Sequence, residues 1–434
     1  MKVPSAKRSR LISLFTLFIL GVCAVTAARE WLRVEPMRTE PLSAAARRAQ
    51  QPLGQQKIAP SITQAVNRWS GFIQTQFAGD EACKPCHVAE YEAHLRSGHS
   101  RTATAMARTD FAAQLLRLQE YHDSRRDQTF HFRLKDDQFW VSTNSQTTRL
   151  KKTGQGRGTD AGQSITPEPP TNVSVKVDWL LGSGTHAQTP IAIQADGSQG
   201  IELRWSAFKG HSDPKLTPDH EAFDQFQAGT AECFGRPMDA MDVRSCLGCH
   251  STVVPPPPLP LTAVTTIANV GCERCHGPRK EHVLMAEKGM AEQSKPMINL
   301  HDAEAYMETC SACHRDERSV AVDATEAEKA RFQPYGLKKS ACYLAAPEQL
   351  TCSTCHDPHD TTSHDREQYI QQCNTCHQDA DHTVCPKQPT GDCVECHMPL
   401  TEWTQGISFH DHWIRVVDDD SGATQTAPQT EVLP

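Results

Sequence analysis

Seven copies of one five-residue run, Cys-x-x-Cys-His, constrain this chain more than any other feature. They are Cys83 and Cys86 with His87, Cys246 and Cys249 with His250, Cys272 and Cys275 with His276, and Cys310 and Cys313 with His314. Cys352 and Cys355 with His356, Cys373 and Cys376 with His377, and Cys393 and Cys396 with His397 complete the set. Together they use fourteen of the eighteen cysteines in 434 residues. A disulfide framework or a zinc knuckle also uses paired cysteines, but neither requires His at the next position every time. Covalent attachment of haem c does require it: two thiols three positions apart reach the two vinyl groups on one edge of the macrocycle, and the following imidazole becomes the fifth iron ligand. The cofactor expected is therefore seven covalently attached haems c, with the cysteines as attachment points and His87, His250, His276, His314, His356, His377 and His397 as metal ligands.

Six of the seven runs crowd into residues 246–397, and aromatic residues make up only 6% of the chain. Such a segment has too little apolar side chain to build its own interior, so the porphyrins must supply most of it. The expected fold class is mainly α with long loops: a multihaem core of short helices packed on haems, with a small β-rich insertion between the first and second haem motifs.

The organisation along the chain follows from composition. Lys2, Lys7, Arg8 and Arg10 precede an apolar run from Leu11 to Val25 and small residues through Ala28, the pattern of an export signal over 1–28, with cleavage near Ala27 or Ala28. An uncleaved anchor and lipid attachment at Cys23 are the other readings of this segment. Residues 29–78 read as a polar N-terminal arm and 79–122 as the first haem-binding segment. In the latter Tyr91, His94 and Leu95 continue a helix from His87 until Ser97-Gly98 breaks it. Residues 123–230 read as the β-rich insertion: one strand pair lies at 129–134 and 138–142 around Lys135-Asp136-Asp137, and another at 191–194 and 201–205 around Asp196-Gly197. Between them, 151–172 reads as a loop. Residues 231–415 form the six-haem domain, with a stiff connector at Pro255 to Pro258, and 416–434 a disordered tail.

Several of these runs have surroundings similar to those of the cytochrome c-554 / c-552 type of multihaem cytochrome, within the superfamily related to hydroxylamine oxidoreductase. They are Cys83-Lys-Pro-Cys-His with Tyr91 and Ser97-Gly98-His99, Gly182-Ser-Gly-Thr-His186, and Gly271-Cys-Glu-Arg-Cys-His-Gly-Pro278 with Glu281-His282. Cys352-Ser-Thr-Cys-His-Asp-Pro-His359, Cys393-Val-Glu-Cys-His-Met-Pro399 and Asp411-His412-Trp413 extend the resemblance over about residues 80–415. The resemblance implies that His99, His186, His282, His359 and His412 are sixth ligands to haems other than the one bound next to them. Two positions depart from the family pattern: His94 replaces an aromatic residue, and Arg279 replaces the Gly that would form the tight turn before His282. Fourteen His lie outside the motifs, and His211, His220, His301, His364, His382 and His410 compete for the remaining two sites.

Formal net charge is −8, moves to −12 when the four basic residues of 1–28 are removed, and reaches about −19 once each haem adds two propionates and one ferric charge. A molecule so acidic excludes nucleic acid as a partner and favours redox proteins with basic docking surfaces, reaching the membrane only through an N-terminal anchor. The expected function is a periplasmic or otherwise extracytoplasmic relay of electrons between redox partners. Two alternatives stand beside it. One is an oxidoreductase with a single open haem acting on a small nitrogen or sulfur compound; the other is an interaction module in which the insertion docks a partner beside His87. No Cys-x-x-Cys-Lys run occurs, and no catalytic residue is assigned. Of the leftover cysteines Cys233, Cys342 and Cys385, the pair Cys342–Cys385 is the favoured disulfide, because both sit in the haem-dense half. Asp136-Asp137 and Asp418 to Asp420 read as solvated charge.

Overall fold

In the computed structural model, residues 60–145, 171–194, 196–296, 299, 301–377 and 391–416 are described. The export segment, Cys23, the arm up to residue 59, most of the 151–172 loop, His382, Cys385 and the tail from 417 lie outside them.

The residues between the first two motifs form far more sheet than a small insertion. A four-stranded antiparallel sheet runs in chain order through Glu120–Asp123, Gln128–Lys135, Gln138–Ser145 and Thr171–Val177. In Gln128–Lys135 the odd and even positions separate, with Phe130 and Phe132 buried and His131 and Arg133 exposed, the period-2 pattern of a strand with one wet face. The turn to the next strand passes through Asp136 and Asp137, both at positive φ (52° and 57°), which matches the twist of a two-residue hairpin. A seven-stranded sheet is built along Ala103–Ala105, Trp179–Leu181, Ala187–Ile193, Gln199–Leu203 and Gly235–Asp239, with Trp205–Phe208 joined to Ala187–Ile193 and Lys215–Leu216 beyond it.

One apolar core fills the space between these sheets and the helix Asp110–Leu118, whose Phe111, Ala112 and Leu115 face inward. Its centre is Trp205, fully buried and met edge-on by Phe132 at 5.2 Å, Phe111 at 6.2 Å and Phe130 at 6.3 Å. A second cluster joins Ala103, Leu181, Ile191 and Met238 to Val243 and Leu247 of the helix Ala240–His250, which ends in the second motif. The sheets are therefore packed directly onto a helix that carries a Cys-x-x-Cys-His motif.

The mainly α expectation does not hold. Fifteen strands in four antiparallel sheets are present among the described residues, including two small hairpins inside the motif-dense part, Ser251–Val253 with Ile267–Ala268 and Leu400–Thr404 with Ile407–His410. The physical reason lies in where apolar side chains are available. Residues 103–247 alternate enough Phe, Leu, Ile and Val to bury two layers of sheet. The motif-bearing helices beyond them are 4 to 12 residues long, and no buried apolar cluster among the described residues draws on any residue past Ala268. Short helices without a core of their own cannot dominate the fold.

Two further local expectations can be compared. The helix after His87 forms as Val88–Arg96 and ends at Ser97. The polar arm contains a helix, Pro60–Gln76, whose Trp69 indole donates to the Thr265 carbonyl at 2.8 Å. Among the described residues no helix is long and apolar enough to cross a membrane.

Candidate haem sites

Each motif is presented by a short helical turn, and most of those turns are held by a capping side chain. Asp239 caps Ala240–His250, Asp302 caps Ala303–His314, and Asp392 accepts from Val394 N and Glu395 N ahead of the last motif. Thr351 closes a capping box with Thr354. The third motif is tied to the first: Asp80 accepts from Cys272 N at 2.9 Å, so close that a Cβ on Gly271 would meet its carboxylate at 2.5 Å. Glu273, inside that motif, is buried and accepts from Ala78 N, Gly79 N and Arg279 N at 2.7–2.9 Å.

Four motif histidines face a histidine from elsewhere in the chain. His87 and His282 have ring centroids 6.5 Å apart, and the pairs His99–His314, His276–His359 and His356–His412 each lie at 6.2 Å. With a metal–nitrogen bond of about 2.0 Å, as imidazole makes to first-row metals, and a ring radius of about 1.1 Å on each side, two imidazoles on one metal have centroids about 6.2 Å apart. Direct stacking would bring them much closer. The gap fits one iron with two axial imidazoles.

The ring hydrogen bonds agree with that fit. Nδ1 contacts a carbonyl in His250 (Thr102 O, 3.0 Å), His282 (Ser294 O, 3.3 Å), His397 (Arg415 O, 2.9 Å), His410 (Met398 O, 2.7 Å) and His412 (His410 O, 2.9 Å). A carbonyl only accepts, so Nδ1 carries the proton and the Nε2 lone pair is left for a metal. His359 has Asp357 at 3.2 Å and His314 has Gln333 at 3.3 Å in the same place. Burial lowers the pKa of His250, His276, His314, His356 and His99, and brings His412 down to about 4. These rings are neutral at pH 7, the form that binds metal.

The thiols group as well. Cys83 lies within hydrogen-bonding reach of Cys272, Cys249 of Cys313, Cys310 of Cys352, and Cys373 of Cys393. The cysteines of the seven motifs thus meet one another, and Cys275 also feels the charge of Cys313, as Cys373 does that of Cys355.

Of the five extra histidines singled out in the sequence, His99, His282, His359 and His412 are brought opposite a motif histidine. His186 instead packs on Phe409 at 4.9 Å. Among the competitors, His220 is buried with Nε2 toward Glu202 at 3.4 Å, and His211 reaches the Gln405 carbonyl at 3.3 Å. His301 and His364 are exposed. His94 is buried and its Nε2 has no partner. Cys233 is buried with its thiol toward the Gln227 carbonyl, and Cys342 forms no disulfide with another described cysteine. Spacing along the chain does not point to the carbonyls of Thr102, Ser294 and Arg415 that orient the rings. For His359 the run Asp357-Pro358-His359 did carry a sign, since a carboxylate two residues before a ring is a short reach.

A family model described as cytochrome c554 and c-prime matches residues 211–277, which take in the second and third motifs. No curated protein matches the chain. Among solved structures, one described as the outer cell wall cytochrome OcwA superposes with a TM-score of 0.42 at 14% identity, over 79% of this chain and 80% of that one. The family match supports a c-type cytochrome, a protein that transfers electrons on covalently bound haem.

Proposed function

We propose that this chain carries seven covalently attached haems c and relays electrons between redox partners outside the cytoplasm, without a substrate of its own. The observation that carries the reading is the set of four histidine pairs at 6.2–6.5 Å, each joining a motif ring to a ring from a distant segment. An iron so held has no free position, and the haems supply reversible one-electron chemistry without bond making.

The rest of the chain serves that purpose by holding rings and thiols still. The meeting of Cys83 with Cys272, Cys310 with Cys352 and Cys373 with Cys393, and the approaches of Cys275 to Cys313 and of Cys355 to Cys373, string the sites in the order 1-3-4-5-6-7. Cys249 against Cys313 attaches the second site to the fourth as a branch. That branch is also the site whose helix is anchored on the β-rich core through Val243 and Leu247. Export follows from the chemistry of attachment, which takes place outside the cytoplasm, and from the basic and apolar N-terminus. The acidic balance selects partners with basic docking faces.

The test uses the exported full chain. Pyridine haemochrome analysis and intact mass are expected to give seven covalent haems, and paramagnetic resonance of the oxidised protein mainly low-spin ferric iron. Fewer covalent haems would overturn the count. A substantial high-spin ferric signal that shifts on adding cyanide or nitric oxide would replace the relay by an enzyme.

A further inference from the structure

Arg279 is 9% exposed and sits at the start of the helix Lys280–Ala286, which carries His282. Its guanidinium does not end on a carboxylate. It donates to the Ser294 carbonyl at 2.9 Å, and the same oxygen accepts from His282 Nδ1 at 3.3 Å. The backbone N of Arg279 donates to Glu273 at 2.7 Å, which locks the turn to the third motif. One buried cation and one ring thus share a single acceptor, and the ring faces His87 across 6.5 Å. The charge also reaches the Cys83 thiol, where the haem of His87 is attached. The other charges facing Arg279 are Glu273 and Glu281, with Asp80 beside Cys83.

We propose that Arg279 is a positioning and potential-setting residue for the haem held between His87 and His282, acting through Ser294. Two effects have the same sign. A carbonyl already bound by a guanidinium is a weaker acceptor for the His282 N–H, so the ring donates less electron density to the iron. A positive charge in a low-dielectric surround also disfavours the ferric state over the ferrous. Both raise the reduction potential of this one site, and the guanidinium keeps the carbonyl, and so the ring plane, in place. The inference rests on the reading of His282 as an iron ligand, and the experiment separates the two.

Arg279→Gln, Arg279→Lys and His282→Ala are made in the full-length holoprotein, and haem content and circular dichroism are compared with wild type. Paramagnetic resonance is followed through a potentiometric titration. His282→Ala identifies the site, because one low-spin signal is expected to convert to high-spin. If every low-spin signal survives that change, the ligand assignment fails and the proposal with it. With the site identified, Arg279→Gln is expected to lower the midpoint of that signal alone, while Arg279→Lys stays near wild type. Equal shifts in the Gln and Lys variants, or no shift in either, would overturn the role of Arg279 and leave the ligand assignment standing. Should Arg279→Gln fail to load haem, Arg279→Lys decides: with haem content restored, a midpoint near wild type supports the charge and a lowered one rejects it.

Discussion

The imidazole rings of His276 and His359 lie parallel to within 6°, with centroids 6.2 Å apart, whereas those of His99 and His314, at the same separation, are turned 74° to each other. The ring contacts differ too: His359 meets Asp357 on its own loop, and His314 meets Gln333 of another helix.

Ring angle has a spectroscopic consequence. Parallel axial imidazoles split the two iron orbitals that carry the unpaired electron, whereas perpendicular ones leave them nearly degenerate. The haem of His276 and His359 is therefore expected to give a rhombic low-spin signal and that of His99 and His314 a strongly anisotropic one. Paramagnetic resonance of His359→Ala should lose the first and keep the second. Loss of both, or of neither, would contradict the pairing.

Gly336 is expected to be indispensable to the fifth site. A Cβ there would meet Trp413 N at 2.6 Å and the His412 carbonyl carbon at 2.8 Å, both backbone atoms that cannot swing aside. The same loop is pinned by buried Ser340, which donates to His412 O at 3.1 Å and accepts from Ile414 N at 2.8 Å. Gly336→Ala should push His412 away from His356 and convert one haem to high-spin, read as a new cyanide-sensitive band in the optical spectrum. Ser340→Ala should weaken the loop by about 1–3 kcal/mol, measured by denaturant titration at that haem.

Trp205 tests whether the sheets hold together by their own core. Trp205→Ala should cost about 3–5 kcal/mol of the stability of the β-rich part. In a thermal melt followed by far-ultraviolet circular dichroism and by the Soret band together, the sheet transition should move down. A melt unchanged by the substitution would show that the haems carry the sheets.

Acid should loosen the strand pair that carries Glu202 and Arg236. Burial raises the Glu202 pKa, but His220 and Arg236 outweigh it and hold the carboxylate at about 2, below its ordinary value of 4.5. A carboxylate depressed in the folded state contributes stability that is fully present above pH 4.5 and is lost as pH falls toward 2. The loss is up to about 3 kcal/mol. Glu202→Gln should flatten the pH dependence of the melting temperature between pH 5 and 2.5, and an unchanged slope would assign it to other groups.

Legibility in the sequence followed the range of the interactions. The hairpin around Asp136-Asp137 and the helix from Val88 to Arg96 are local and were readable, because their periods and turn residues lie within a dozen positions. Sheet content was not. Thr171–Val177 pairs with Gln138–Ser145 across a long connection, and Ala103–Ala105 pairs with Trp179–Leu181; no local pattern announces such partners. Arg279, read from the sequence as the loss of a glycine turn, proves to be part of what holds His282, since its backbone and guanidinium each find an acceptor supplied by a different segment.

What the sequence determined by itself is the set of seven Cys-x-x-Cys-His motifs, because two thiols and an imidazole within five residues make up a complete local pattern. Which second histidine faces a motif ring was decided only by tertiary structure. The rings that stand opposite the motif histidines are His282 for His87, His99 for His314, His359 for His276 and His412 for His356, each brought there from another segment by the fold. A covalent site needs nothing but neighbours in sequence, and an axial partner needs the whole fold.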